Sequence, residues 1–244
     1  MKQLKNYLSI ISMLVVLFAL MFTSCSGDEN DDRLINNGGG SLDPAQKHNG
    51  HAYVDLGLSV KWATCNVGAT TPEEYGDYFA WGETEHKDYY DWYNYKYCNG
   101  AYNTITKYCI SSYNGKVDNK TTLELTDDAA HVNWGGNWRM PTKAEQDELR
   151  SSSNCTWTWT TQSGVNGYRV TSKINGNSIF IPIVGYYGTG GINGYNDSSN
   201  GYYWSSSLGN SSSCACDLYF SSSNVGFNDS YFRFCGRTIR AVCP

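Results

Sequence analysis

The sequence predicts an α+β fold of short antiparallel strands, one or two short helices and long loops. Three observations carry that expectation. Residues 155–161 read CTWTWTT, a strict alternation of large and hydroxylated side chains that suits a half-buried strand. Thr142 is followed three residues later by Glu145, the pattern of a capping box at a helix start. Composition adds the third: 20 Tyr, 8 Trp and 25 Gly beside only 5 Pro leave long periodic helices hard to place.

At the N-terminus, Lys2 and Lys5 precede an apolar run from Ile10 to Phe22. The run is too short for a membrane span and suits a signal peptide. Cys25 follows it directly, and Thr23-Ser24-Cys25 resembles a bacterial lipoprotein cleavage box, in which the Cys becomes the lipidated first residue of the mature chain. Acyl chains such as palmitate would then supply the membrane affinity, leaving the rest of the chain in water. The expected organisation is a signal peptide over 1–24, an acidic and glycine-rich flexible tether over 25–47, and one folded domain over 48–244.

Two short strand signals open the domain, with Tyr53 and Asp55, then Leu58, Val60 and Trp62, carrying the alternation. Thr71-Pro72-Glu73-Glu74 predicts a short helix, with Thr71 as N-cap and Pro72 at its first position, cut off by Gly76. Residues 86–120 are aromatic and polar without a period. They read as a long excursion fixed by its own rings, in preference to a sugar-stacking surface. Cys98 and Cys109 are spaced to close a loop within it. The capping box predicts a helix from Lys143 to Arg150, with Leu149 facing inward. Beyond the alternating Trp157 and Trp159, GYRVTSKINGNSIFIPI reads as a hairpin turning at Asn175-Gly176. GYYWSSS, CDLYF and RTIRAVC predict three further strands.

Net charge is -5, with 18 Lys and Arg against 23 Asp and Glu and no basic cluster, so nucleic-acid binding is not expected. Of the nine cysteines, Cys25 is assigned to lipidation; the other eight permit disulfides in an exported protein without revealing their pairing. Cys214 and Cys216 are too close together for a zinc knuckle. No metal and no cofactor is expected. Asp127, Asp128 and His131 are the one acid/base candidate group, and they read better as a capped turn whose carboxylates accept backbone N–H bonds. No GxSxG, HExxH or phosphate-binding glycine loop occurs. An enzyme is not expected.

Four segments carry a wider resemblance: VDLGLSVKWATCNVGATTPEEYGDYFAWGE, DDAAHVNWGGNWRMPTKAEQDEL, GYYWSSS and GRTIRAV. In that order, from about His51 to Val242, they resemble the Fibrobacter succinogenes major paralogous domain family of gut Bacteroidetes. The resemblance implies a C-type-lectin-like fold, related to the formylglycine-generating enzymes. It also implies that SGDENDD after Cys25 is a surface-export signal, which would place the protein on the outer membrane, lipid-anchored and exposed at the cell surface. The active-site pattern of the formylglycine-generating enzymes is missing here, as are the Glu-Pro-Asn and Trp-Asn-Asp motifs of calcium-dependent lectins.

The C-terminal segment is similar, in addition, to lectin-like proteins varied by diversity-generating retroelements, in which fixed residues bracket a hypervariable stretch. Trp204-Ser205-Ser206 and Arg240 would be the bracket. Residues 205–230 contain no Lys, Glu, Gln, Trp or Met, the types that adenine mutagenesis of Asn codons does not readily reach. Trp138, Arg139 and Trp204 are expected to be framework. Tyr, Ser, Gly and Asn dominate the stretch, and those residues suit a paratope. The expected ligand-binding surface is Tyr202, Tyr203, Leu208, Asn210, Ser212, Asp217, Tyr219, Asn224, Phe227 and Asn228, with Tyr186, Tyr187 and Tyr195 as its rim. The expected partner is a protein or a cell-surface glycan. A structural or adhesin-type outer-membrane component without a variable ligand site is the alternative, and a divergent formylglycine-generating enzyme a weaker one.

Overall fold

The computed structural model describes residues 46–189 and 199–244; the predicted signal peptide, Cys25, most of the tether and Tyr195 lie outside them. The described part falls within one unit, Leu42–Pro244. Its chain folds as an α+β arrangement of three antiparallel sheets and two short α-helices.

The first sheet joins both ends of the domain. Its strands are β1 (Lys47–His48), β2 (His51–Val54), β3 (Lys61–Ala63) and β10 (Val242–Cys243), in that order. Val242 pairs with Trp62, and the Lys61 ammonium reaches the Pro244 carbonyl at 2.6 Å. The second sheet is a meander of β4 (Cys155–Gln162), β5 (Val165–Ser172) and β6 (Ser178–Pro182). Its alternation is the expected one: Trp157 and Trp159 both pack against Tyr168 of the neighbouring strand. The third sheet is β7 (Asn200–Leu208), β8 (Cys214–Ser221) and β9 (Asn224–Phe232).

Helix α1 (Ala129–Trp134) starts at Asp128, whose carboxylate accepts the His131 amide. It ends at Gly135 (φ 67°), which with Gly136 (φ 58°) makes a tight turn. A side chain at Gly136 would have its Cβ 2.9 Å from the His48 ring. Helix α2 (Lys143–Arg150) has the predicted bounds and the predicted capping box, and Leu149 is fully buried. Arg139 clamps the box from outside, with its guanidinium on both Glu145 oxygens at 2.7 and 2.5 Å.

The Pro72 helix is not there. The Glu74 carboxylate instead accepts the amides of Thr70 and Thr71 at 2.6 and 3.0 Å, which fixes a turn, and Gly76 turns the chain at φ 71°. Phe79 is buried at an isolated bridge to Arg237 and Trp81 in the turn that follows, while Tyr75 is exposed. The expected loop closure by Cys98 and Cys109 is also overturned. All eight described cysteines are free: Cys98 donates to the Trp92 carbonyl and Cys109 to that of Ser111.

The excursion over residues 86–120 is held down by rings, as its sequence suggests. Tyr90, Tyr95, Tyr97 and Tyr108 are buried, and Tyr108 meets Trp81 edge-on at 5.2 Å. These join a core that contains Trp138, Trp204 and Phe234. A second core, around Trp62, Leu149, Val170, Ile181, Leu218 and Phe220, lies between the second and third sheets and α2.

Candidate functional site

The segment RFCGRTIR ends the domain with three arginines that are all buried: Arg233, Arg237 and Arg240. A buried guanidinium needs partners, and each has a different set. Arg233 donates to the carbonyls of Tyr108, Ser212 and Lys107 at 2.9–3.0 Å and stands 4.8 Å from the Trp81 ring. Arg240 reaches Asn66 Oδ1 at 2.8 Å and the carbonyls of Ala63 and Thr64. These two tie the third sheet's C-terminal extension to the excursion and to β3.

Arg237 is different. It forms a fully buried ion pair with Asp217 of β8, and beyond that carboxylate no oxygen of the described residues takes a hydrogen bond from its nitrogens. Aromatic faces surround it instead: Tyr231, Trp204, Tyr202 and Tyr186, at 4.1, 4.5, 4.7 and 5.5 Å from the guanidinium carbon. Such stacking suits a weakly hydrated planar cation. Burial pushes the Asp217 carboxyl up, to about 6, against the opposing pull of the Arg237 charge and of the neighbouring Asn228 side chain.

Sheet register explains what lies over this pair. Tyr202 and Trp204 of β7 stand opposite Tyr219 and Asp217 of β8, and Asp217 stands opposite Asn228 of β9. Alternate residues share a face, so Trp204, Tyr202, Tyr219, Asp217 and Asn228 point one way. Tyr202 is the hub of the ring contacts, 5.0 Å from Tyr186, 5.3 Å from Tyr219 and 5.9 Å from Tyr231. The Tyr219 hydroxyl donates to Asn200 Oδ1 at 3.0 Å. Tyr186, Tyr219, Tyr231 and Asn228 are half-buried, so this face presents the edges of a tyrosine cluster to solvent over an ionic base.

Of the ten predicted surface residues, Tyr202, Asp217, Tyr219 and Asn228 belong to this face. Exposure is corrected for five of the ten. Tyr202 is buried as the hub of the cluster, and Asp217 is buried by its arginine. Tyr203 turns into the second core and donates to the Pro182 carbonyl at 2.6 Å. Leu208 packs in the first core, and Ser212 Oγ is buried accepting the Ile110 amide at 2.9 Å. Phe227 lies on the opposite side of the sheet, under the Lys143 ammonium at 4.1 Å. Asn210 is exposed in the loop between β7 and β8, and Asn224 is exposed at the start of β9. At the expected rim, Tyr186 touches the cluster, while Tyr187 packs on Tyr78 and Tyr90.

Sequence reasoning missed Tyr231 and Arg237. The available signal was three arginines within eight residues of small and apolar neighbours, which is a buried-charge pattern more than a surface one. Trp138 and Trp204 are fully buried, as expected of framework.

The acid/base candidates separate. Asp128 caps α1 and also accepts the Met140 amide at 2.8 Å. Asp127 instead takes the Tyr108 hydroxyl at 2.6 Å and the Lys107 ammonium at 2.5 Å. Burial raises its pKa, but these donors outweigh it and hold the group at about 2. His131 Nδ1 meets the Trp138 carbonyl at 3.2 Å, and the ring stacked on Trp134 is that of His51. Among the described residues no group of three or more His, Cys, Asp and Glu is placed to hold a metal ion, and no helix is long and apolar enough to cross a membrane.

Comparison with family models, with curated proteins and with solved structures returns no match to this chain.

Proposed function

We propose that this chain is a binding module of C-type-lectin-like fold that recognises a protein or a cell-surface glycan through the tyrosine face of β7, β8 and β9. One observation carries the reading. Four half-buried or buried tyrosines contact one another around a fully buried Arg237–Asp217 pair, so a rigid base holds aromatic edges and amide groups at the surface. Tyrosine offers large contact area at low rotamer cost, and asparagine and serine offer adaptable hydrogen bonds. The lectin-like reading is supported by the joined chain ends, the short antiparallel strands and the long loops.

In this account Asp217, Trp204 and Arg237 are scaffold, and Tyr219, Asn228, Asn224 and Tyr231 carry recognition. Retroelement variation of the segment would then change outward positions and leave inward ones fixed. Screening the protein against glycan and bacterial-surface protein arrays tests the reading. Tyr219→Ala is expected to weaken any hit about tenfold or more, with Ser222→Ala near wild type, because aromatic anchors dominate such interfaces. Hits that ignore Tyr219, Tyr231 and Asn228 alike would move recognition elsewhere.

Outer-membrane placement belongs to the same proposal, through lipidation at Cys25. Cys25→Ala is expected to abolish incorporation of labelled palmitate. Protease added to whole cells should digest the wild-type domain, and full protection with an intact outer membrane would put it on the periplasmic side.

A further inference from the structure

On the other side of the third sheet lies a groove of about 670 Å³, between the C-terminal turn of α2, the start of β4 and the start of β9. Asp147, Arg150, Trp157, Lys173 and Val225 help to line it. Val225 pairs with Phe220, the neighbour of Tyr219, so strand alternation turns it away from the tyrosine face. The groove and that face are separate surfaces.

Its walls are fixed. The turn after α2 is closed by the Asn154 and Cys155 amides on the Ser151 carbonyl at 2.9 and 3.0 Å, and the Lys173 amide bonds the Asn154 carbonyl at 2.7 Å. The Trp157 indole donates to the Leu149 carbonyl at 3.1 Å and packs on Tyr168 and Phe220. An indole of fixed orientation thus stands beside a bound turn.

The charge in the groove is unbalanced. Asp147, its one lining carboxylate, already meets Lys143 at 2.5 Å and Arg150 at 2.7 Å. That contact uses a single Nη2 donor of Arg150, and no described residue accepts from its Nε or Nη1. Among the described residues, Lys173 Nζ meets only the Ser152 carbonyl, at 2.7 Å. Two cations with spare donors therefore face the same space as an aromatic wall. Guanidinium and ammonium donors bind carboxylate or sulfate by charge-assisted bonds, and an aromatic side chain suits the C–H face of a sugar ring.

We propose that this groove binds an anionic saccharide, a sugar bearing a carboxylate or a sulfate. The ring lies along Trp157, and the acid group takes its hydrogen bonds from Arg150 and Lys173. This goes beyond the tyrosine-face reading and does not depend on it.

The test is calorimetric titration of the protein with three oligosaccharides of matched length: an oligogalacturonate, a sulfated galacto-oligosaccharide and the neutral galacto-oligosaccharide. At least one acidic oligomer should bind saturably, more weakly as salt rises, and about tenfold or more tighter than the neutral one. The preferred oligomer identifies the anion. Arg150→Gln and Lys173→Gln should each weaken it about tenfold, with melting curves confirming that both variants fold. Asp147→Asn should bind as tightly as wild type or tighter, and Tyr219→Ala should bind the acidic oligomer as wild type does. Absence of saturable binding by both acidic oligomers, equal affinity for the neutral one, or folded Arg150 and Lys173 variants with wild-type affinity would each overturn the site.

Discussion

Replacing Arg237 with alanine is expected to destabilise the protein by about 3–5 kcal/mol, the range for removing one partner of a buried ion pair. The variant leaves Asp217 fully buried without its cation and removes the plane on which Tyr186, Tyr202, Trp204 and Tyr231 rest. The loss has a pH signature. Burial raises the folded-state carboxyl to about 6, above its unfolded value, so the stability contributed by Asp217 is fully present below the unfolded pKa and falls as pH rises through about 6. Without Arg237 the charged form is harder still to hold, so Arg237→Ala should cost more at pH 8 than at pH 4. Asp217→Asn should flatten that dependence. The double variant Arg237→Met with Asp217→Leu should recover most of the loss, because replacing both partners leaves no buried charge. Urea denaturation of the variants across pH measures all of this; a loss below about 1 kcal/mol for Arg237→Ala would show that the pair does not anchor the sheet.

Trp204→Ala is the second large effect, about 3–5 kcal/mol for a fully buried tryptophan. Trp204 is inaccessible to solvent, packs in the first core, and donates its indole N–H to the Phe79 carbonyl at 2.9 Å. Truncation leaves a cavity beside Arg237 and weakens the link between β7 and the extended segment through Phe79. The melting temperature should fall by roughly ten degrees, given about 2–4 °C per kcal/mol for a domain of this size. Trp204→Phe should lose less, since it keeps most of the volume. An unchanged melting temperature together with lost ligand binding would make Trp204 a contact residue and not framework.

Elements whose chemistry is local were legible in the sequence. The Thr142–Glu145 box sets α2 because both hydrogen bonds fall within four residues. The β4–β5–β6 meander follows from strict alternation and the Asn175-Gly176 turn, where Gly176 sits at φ 81°. Thr71-Pro72 shows the limit of the same logic. A carboxylate three or four residues on satisfies amide donors equally well in a turn, and the Glu74 carboxylate does so with no helix behind it. Strand β9 escaped notice because NVGFNDSYF has no clean period; its register comes from β8, across a shift between Ala215 and Asp217.

The candidate site was half legible for a related reason. Its residue types were readable, but their direction was not. Tyr202 and Tyr203 are adjacent and nearly identical in sequence, yet one faces Arg237 and the other donates into the second core. Asp217 looks like a surface acid until Arg237, twenty residues later, is placed against it. Both assignments depend on strand pairing, which a single sequence specifies only through contacts far apart along the chain.

The central claim is that a fixed interior displays an exchangeable exterior, and block exchange tests it most directly. Asn210, Tyr219, Asn224, Asp229 and Ser230 would be replaced together by other polar or aromatic residues, with Trp204, Asp217, Leu218, Phe220, Asn228 and Arg237 untouched. Melting temperature and array binding are then measured on the same preparations. The account predicts a melting temperature within a few degrees of wild type, since surface changes fall within about half a kcal/mol of zero in either direction and largely cancel across the block, and a binding profile that changes with the block. Wild-type binding preference on the exchanged surface would contradict it.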